Sequence, residues 1–265
     1  MSSSRPRVRT WRRTLRALAP TGRARAALPG HHGAGGLLHL SPGPRATALR
    51  EDTGPLAPAR LLRPRQGRLG DCWVIAPMLA IHETAPERLR GLLSAEEGGV
   101  VAVHLPGMTR PVRVDRRLPV DSRGMFQYGR RDGANPGWVG VLEKAIAGHV
   151  AGDYGALQRG VARFGFELLL GERVRTLLRR PGAAQILAWR DQGRAIAAST
   201  HPLSPRVPTS AGPLPRNHVF AVVGADARSG HVLLRNPVRP EQVLTLDARS
   251  FRRGFLSLDV TAPLR

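Results

Sequence analysis

The chain has one cysteine, Cys72, and its setting suits a nucleophile better than a crosslink. A single thiol can neither close an intramolecular disulfide nor build a cysteine-rich zinc site. A nucleophilic thiol needs a position that favours the thiolate, a general base, a group that orients the base, and donors for an oxyanion. Cys72 follows the loop Gln66 to Asp71 and opens an apolar run to His82, so it stands where the positive end of a helix dipole favours a thiolate. Gln66 lies on the far side of that loop. With Gly67 and Gly70 letting the chain turn back, its carboxamide and the Cys72 backbone N–H are the expected oxyanion donors.

The base must come from distant sequence. His218 opens the run His218 to Gly224, Asn236 ends the run that follows, and Asp226 to Gly230 supplies the turn between them. A hairpin of that register sets Asn236 beside His218, where it can hold one ring nitrogen and leave the other facing the thiol. Pro237 keeps Asn236 extended. The result is a Cys-His-Asn arrangement. His82, His104, His149, His201 and His231 have no such partner strand and read as ordinary polar residues.

The positioning elements follow from periodicity. Cys72 to His82 is apolar enough for a buried helix, with Pro77 expected to bend it. Val100 to Leu118 alternates as short strands about the Pro106-Gly107 turn, and Trp138 to Val150 carries one apolar helical stripe. Gly182 to Arg190 reads as a short helix. Ala195 to Ser199, Val219 to Val223 and Val232 to Arg235 read as strands, with a proline-rich loop from His201 to Arg216 between the first two. From Leu61 onward the chain can fold as one bilobed unit.

Forty-one basic residues oppose 19 acidic ones, a net charge of +22, and Lys144 is the only lysine. Residues 1–65 hold thirteen arginines against Glu51 and Asp52, so half of the excess sits in a quarter of the chain. Residues 1–60 therefore read as an arginine-rich, disordered extension able to touch nucleic acid or acidic surfaces nonspecifically, with a short helix around Trp11 to Leu18. No apolar run reaches the ~18 residues of a membrane span, and the N-terminus lacks the apolar stretch of a secretory signal. The expected location is cytoplasmic.

The stretch Gln66-Gly-Arg-Leu-Gly-Asp-Cys-Trp73 resembles the active-site motif of calpain-type cysteine proteases. The resemblance continues through Leu118-Pro119, Trp138 to Ala145, Gly152 to Leu157, Asn217-His218-Val219 and Arg235-Asn236-Pro237, covering about residues 61 to 240. It implies an α+β, papain-like two-lobe core, a helical lobe at 61–160 with the cysteine and a β-rich lobe at 161–265 with the histidine and asparagine. It further implies an endopeptidase that hydrolyses protein substrates through a thioester, with Cys72 as nucleophile, His218 as base, Asn236 as orienting residue and Gln66 as oxyanion donor.

Three positions depart from the family pattern. Val238 stands where a tryptophan usually covers the Asn–His hydrogen bond. Arg63 stands where the family has a calcium-binding acid, with Glu143 as its implied partner, so no cofactor is required and a calcium requirement is disfavoured. No EF-hand loop follows the catalytic region, which makes this a minimal version of the core. Two rival readings remain open. One is acyl transfer to an amine instead of water; the other is an inactive protease-like domain whose basic tail does the binding.

Overall fold

A computed structural model describes residues 36–131, 135–150 and 152–264. Its first half is built from short strands and four helices: β1 (Leu37–Leu38), β2 (Ala48–Glu51), β3 (Pro64–Arg65), α1 (Cys72–His82), α2 (Pro86–Arg90), β4 (Leu93–Ala95), β5 (Val101–Val103), β6 (Val112–Val114), β7 (Arg117–Val120), β8 (Arg130–Arg131), α3 (Gly137–Val150) and α4 (Ala162–Leu170). The second half is mostly sheet: β9 (Arg175–Leu177), α5 (Ala183–Asp191), β10 (Arg194–Thr200), β11 (Val219–Asp226), β12 (His231–Asn236), β13 (Arg239–Leu246), α6 (Ala248–Gly254) and β14 (Phe255–Pro263). Helix and sheet are thus mixed, as expected. The elements α4, β13 and β14 were not read from the sequence.

Strands β9 to β14 form one antiparallel sheet in the order β13-β12-β11-β10-β14-β9. Side chains of a strand alternate between its faces. Ala195, Ala197, Val219 and Ala221 accordingly point into a core shared with α1, α3 and α4, while Ile196, Ala198, Phe220 and Val222 point into a second core with Ile186 of α5 and Phe251 of α6. Both faces of β10 and β11 are covered, which is why these strands read as nearly continuous apolar runs.

Helix α1 is the hub of the first core. Every residue from Trp73 to His82 is buried, so it is apolar all round rather than amphipathic. It runs as one helix through Pro77. A proline there leaves the Trp73 carbonyl without its helical donor, and Gly165 of α4 lies against that oxygen; a Cβ at residue 165 would sit 2.0 Å from it. Gly160 packs in the same way on the Trp73 ring, whose Nε1 donates to the Leu157 carbonyl at 2.6 Å.

The disordered extension expected over residues 1–60 does not fit the part that is described. Leu38 and Leu40 are buried in the first core, β1 pairs with β6, and β2 pairs with β7. A Cβ at Gly148 would lie 2.1 Å from Leu38, and the buried Asp52 accepts from the Gly137 N–H at 2.9 Å and from Arg116 at 3.0 Å. The basic composition hid these few apolar anchors. Residues 1–35, with the helix expected at Trp11 to Leu18, lie outside the described residues.

Candidate active site

The Gln66 to Asp71 loop is pinned at both ends. The Gln66 N–H donates to the Pro237 carbonyl at 2.8 Å, which ties the loop to the end of β12, and the Arg68 N–H donates to the Gln127 carbonyl at 2.7 Å. Gly67 is required for space: a Cβ there would lie 2.2 Å from the Gln127 carbonyl oxygen. Gly70 has no such neighbour, its nearest contact being the Gln158 side chain at 3.9 Å, and neither glycine adopts a positive φ. The expected need for both glycines therefore reduces to one. The Gln66 carboxamide, expected to face the thiol, is buried and engaged within its own loop, donating to the Leu69 carbonyl at 2.6 Å.

Cys72 begins α1, which packs on β10 and β11. The thiol is pushed up to about 11, first by burial and then by the nearby Asp71 carboxylate. The Val219 N–H aimed at the sulfur, with the free N–H groups of Cys72 and Trp73 at the helix start, opposes that rise without cancelling it. The thiolate expected from the helix dipole is thus outweighed by desolvation in the resting site. Val219 directly follows His218, so the ladder that carries the imidazole also touches the sulfur.

His218 is held on three sides. Its Nε2 is 2.8 Å from Asn236 Oδ1, its backbone N–H donates to Thr200 Oγ1 at 2.8 Å, and its ring meets Phe220 edge-on with centroids 5.2 Å apart. Asn236 Oδ1 also accepts the Val238 N–H at 3.0 Å. A backbone N–H is only ever a donor, so the atom between Val238 and His218 is the amide oxygen. The ring nitrogen facing it must then carry the proton, and Nδ1 is left as the unprotonated base. Burial lowers the imidazole below its ordinary value, partly countered by the Asn236 bond. Asn217, in the left-handed region at φ 50°, turns the chain into this position, a conformation asparagine tolerates better than most residues. The positioning role of Thr200 was missed because a threonine at a strand end has no sequence signature.

Behind the nucleophile lies a carboxylate pair that the sequence reading did not join. Asp71 and Glu143 are both buried and close enough to shift one another electrostatically, and Glu143 also accepts the Gly129 N–H at 2.9 Å. Burial is the largest cause of their rise, taking Asp71 to about 6 and Glu143 well above its ordinary value. Two carboxyl groups buried this close resist ionising together, so each favours the protonated form of the pair. Asp71 makes no side-chain capping bond to α1.

The implied pairing of Arg63 with Glu143 does not occur. Arg63 Nε instead meets Glu83 Oε1 at 2.5 Å, and Arg235 Nε approaches the same oxygen at 3.3 Å. A guanidinium stands where the calcium-binding pattern needs a carboxylate, and Glu143 is turned to Asp71, so the residues present do not fit a calcium site. Among the described residues no group of three or more His, Cys, Asp and Glu side chains could hold a metal ion, and no helix is long and apolar enough to cross a membrane.

Comparison with known proteins gives the family. The family model for calpain family cysteine proteases matches residues 59–239. The calpain-type cysteine protease DEK1 of Arabidopsis thaliana is 27% identical over 190 residues, covering 65% of this chain and 9% of the relative, and ADL1 of Oryza sativa subsp. japonica is 28% identical with the same coverage. Human calpain-14 is 33% identical over 111 residues, 39% of this chain and 16% of its own. The chain therefore spans about a tenth of the length of its plant relatives. With the family's model matching well over half of its residues, the chain belongs to the calpain family of cysteine proteases.

Proposed function

We propose that the protein is a cysteine endopeptidase that hydrolyses protein substrates in a cleft between a helical lobe carrying Cys72 and a β-rich lobe carrying His218 and Asn236. The observation that carries this reading is the His218–Asn236 hydrogen bond with its fixed polarity, which leaves Nδ1 as base on the strand whose next residue touches the Cys72 sulfur. Nδ1 takes the Cys72 proton as the sulfur attacks the peptide carbonyl. The Cys72 N–H and the Gln66 carboxamide, turned from the Leu69 carbonyl toward the new oxyanion, hold the negative charge. The imidazolium protonates the leaving amine, and His218 then activates a water that hydrolyses the thioester. Asn236 keeps the ring in one tautomer throughout. No step needs calcium.

Burial of Cys72 favours a second reading, a domain without turnover, because it pushes the thiol up to about 11. The same experiment separates the two. Fluorogenic-peptide and casein cleavage by wild type and Cys72→Ala is measured under reducing conditions, in EGTA and in millimolar calcium. Cleavage that survives EGTA and disappears in Cys72→Ala supports the proposal. A folded wild type that cleaves nothing and resists thiol alkylation overturns it, and cleavage only in calcium overturns the calcium-independent step.

A further inference from the structure

Helix α1 opens at Cys72 and closes against Glu83, about 16 Å away along the helix axis. At that far end arginines from three separate segments converge. Arg63 Nε reaches Glu83 Oε1 at 2.5 Å, and Arg235 Nε reaches the same oxygen at 3.3 Å. Arg190 of α5 donates from Nη2 to the Glu83 carbonyl at 3.1 Å and from Nη1 to Thr84 Oγ1. The side chains of Arg63, Glu83 and Arg235 are 19%, 19% and 13% exposed, so solvent screens their interaction only weakly.

Two of these arginines belong to segments that carry other parts of the candidate site. Arg63 leads into β3, and Gln66 follows three residues later. Arg235 lies in β12 immediately before Asn236, and its Nη1 donates to the Pro240 carbonyl at 2.7 Å and the Glu241 carbonyl at 3.2 Å, which braces the turn holding Asn236, Pro237 and Val238. We infer that Glu83 is a positioning residue for the reaction: through Arg63 and Arg235 its carboxylate holds the nucleophile helix, the Gln66 loop and the Asn236 turn in one relative placement, without touching substrate. The inference rests on the endopeptidase reading above. Its physical basis is charge balance. Without the carboxylate, two guanidinium groups drawn to one oxygen are left half-buried and facing each other, and like charges so placed separate. Their separation pulls the Asn236 turn from the Gln66 loop, straining the 2.8 Å bond between the Gln66 N–H and the Pro237 carbonyl. A misplacement of about 1 Å far from the chemistry costs up to about 10²-fold in rate.

The test measures steady-state cleavage of a fluorogenic peptide, and thermal unfolding, for wild type, Glu83→Gln, Glu83→Asp, Arg63→Gln and the double variant Arg63→Gln/Glu83→Gln. Glu83→Gln keeps the shape and removes the charge, so it should lower kcat by about tenfold with KM within about twofold of wild type. Glu83→Asp returns the charge and should bring kcat back to within about threefold of wild type. A packing role would order these two variants the other way, because glutamine fills the space and aspartate does not. Arg63→Gln should also lower kcat, and it guards against a Glu83→Gln protein that fails to fold. The double variant should fall no further than Glu83→Gln, since both substitutions break one tie and independent losses would multiply. An unchanged kcat in a folded single glutamine variant, a lower kcat in Glu83→Asp than in Glu83→Gln, or losses that multiply in the double variant overturn the positioning role alone. The absence of cleavage by wild type overturns the endopeptidase reading, and the positioning role with it.

Discussion

The two ends of the candidate site are built by opposite means. The cysteine end is a helix buried on every side, backed by two carboxyl groups that burial pushes up and by glycines that admit no side chain. The histidine end is a hairpin that keeps its polar groups half-buried and joins them by neutral hydrogen bonds, with Thr200 and Val238 donating or accepting from outside the pair. The difference assigns separate duties. Desolvation dominates the first end and pushes the thiol up, while hydrogen-bond geometry dominates the second and fixes the orientation of the imidazole.

The sharpest way to break this division is to remove the base. His218→Ala should lower kcat/KM by about 10³-fold, within the range for a positioned general base, and leave the melting temperature within a few degrees of wild type. A loss of both together would mean that the hairpin end is structural after all. Packing gives the next largest effect, on the opposite end. Gly165→Ala places a Cβ 2.0 Å from the Trp73 carbonyl oxygen, which backbone cannot relieve, and should cost about 3 kcal/mol in chemical denaturation. Gly224→Ala in β11 meets only the Leu233 Cδ1 tip, at 3.3 Å, and should cost under about 1 kcal/mol. Equal costs would erase the contrast between a rigid helical end and a compliant hairpin.

How much of this was legible in the sequence follows the same line. The hairpin was read nearly whole, because alternation, a turn at Asp226 to Gly230 and the ends at His218 and Asn236 are local signals; the ladder pairs Ala221 with Arg235 and Asp226 with His231 as those signals require. The cysteine end was read as a motif but not as a mechanism. That Glu143 would meet Asp71 rather than Arg63 depends on how α3 lies against the nucleophile loop, and tertiary placement has no period to detect. The strands β1 and β2 were missed for a related reason: Leu38 and Leu40 are few among many arginines, and only docking on α3 and β6 makes them core. The α+β mixture was written in composition and period, while the burial that governs the thiol was not.

The carboxylate pair makes a third, intermediate prediction. Asp71 has a folded value of about 6 against 3.8 unfolded, so its stabilising contribution is complete below 3.8 and is lost as pH rises through about 6, with Glu143 adding in the same direction. Glu143→Gln keeps an acceptor for Gly129 and gives Asp71 a donor. It should therefore raise stability at pH 8 by roughly 1–3 kcal/mol and give no gain at pH 4, measured by thermal unfolding across that range. Parallel curves for variant and wild type would show that the pair does not share a proton.

The smallest effect tests the hairpin from within. Burial lowers the His218 imidazole and the Asn236 bond raises it, so the acid limb of kcat/KM should inflect below 6.5, since that limb reports the free enzyme's base. Asn236→Ala removes the raising contribution and the ring's orientation together. The limb should move to lower pH while kcat falls by about 10- to 100-fold, less than on losing the imidazole, because the base remains but its tautomer is no longer fixed. A fall in kcat with an unmoved limb would leave Asn236 orienting the ring without touching its protonation. A limb that moved to higher pH would mean that the bond to Asn236 stabilises the neutral ring instead, and the assignment of Nδ1 as the free base would have to be reversed.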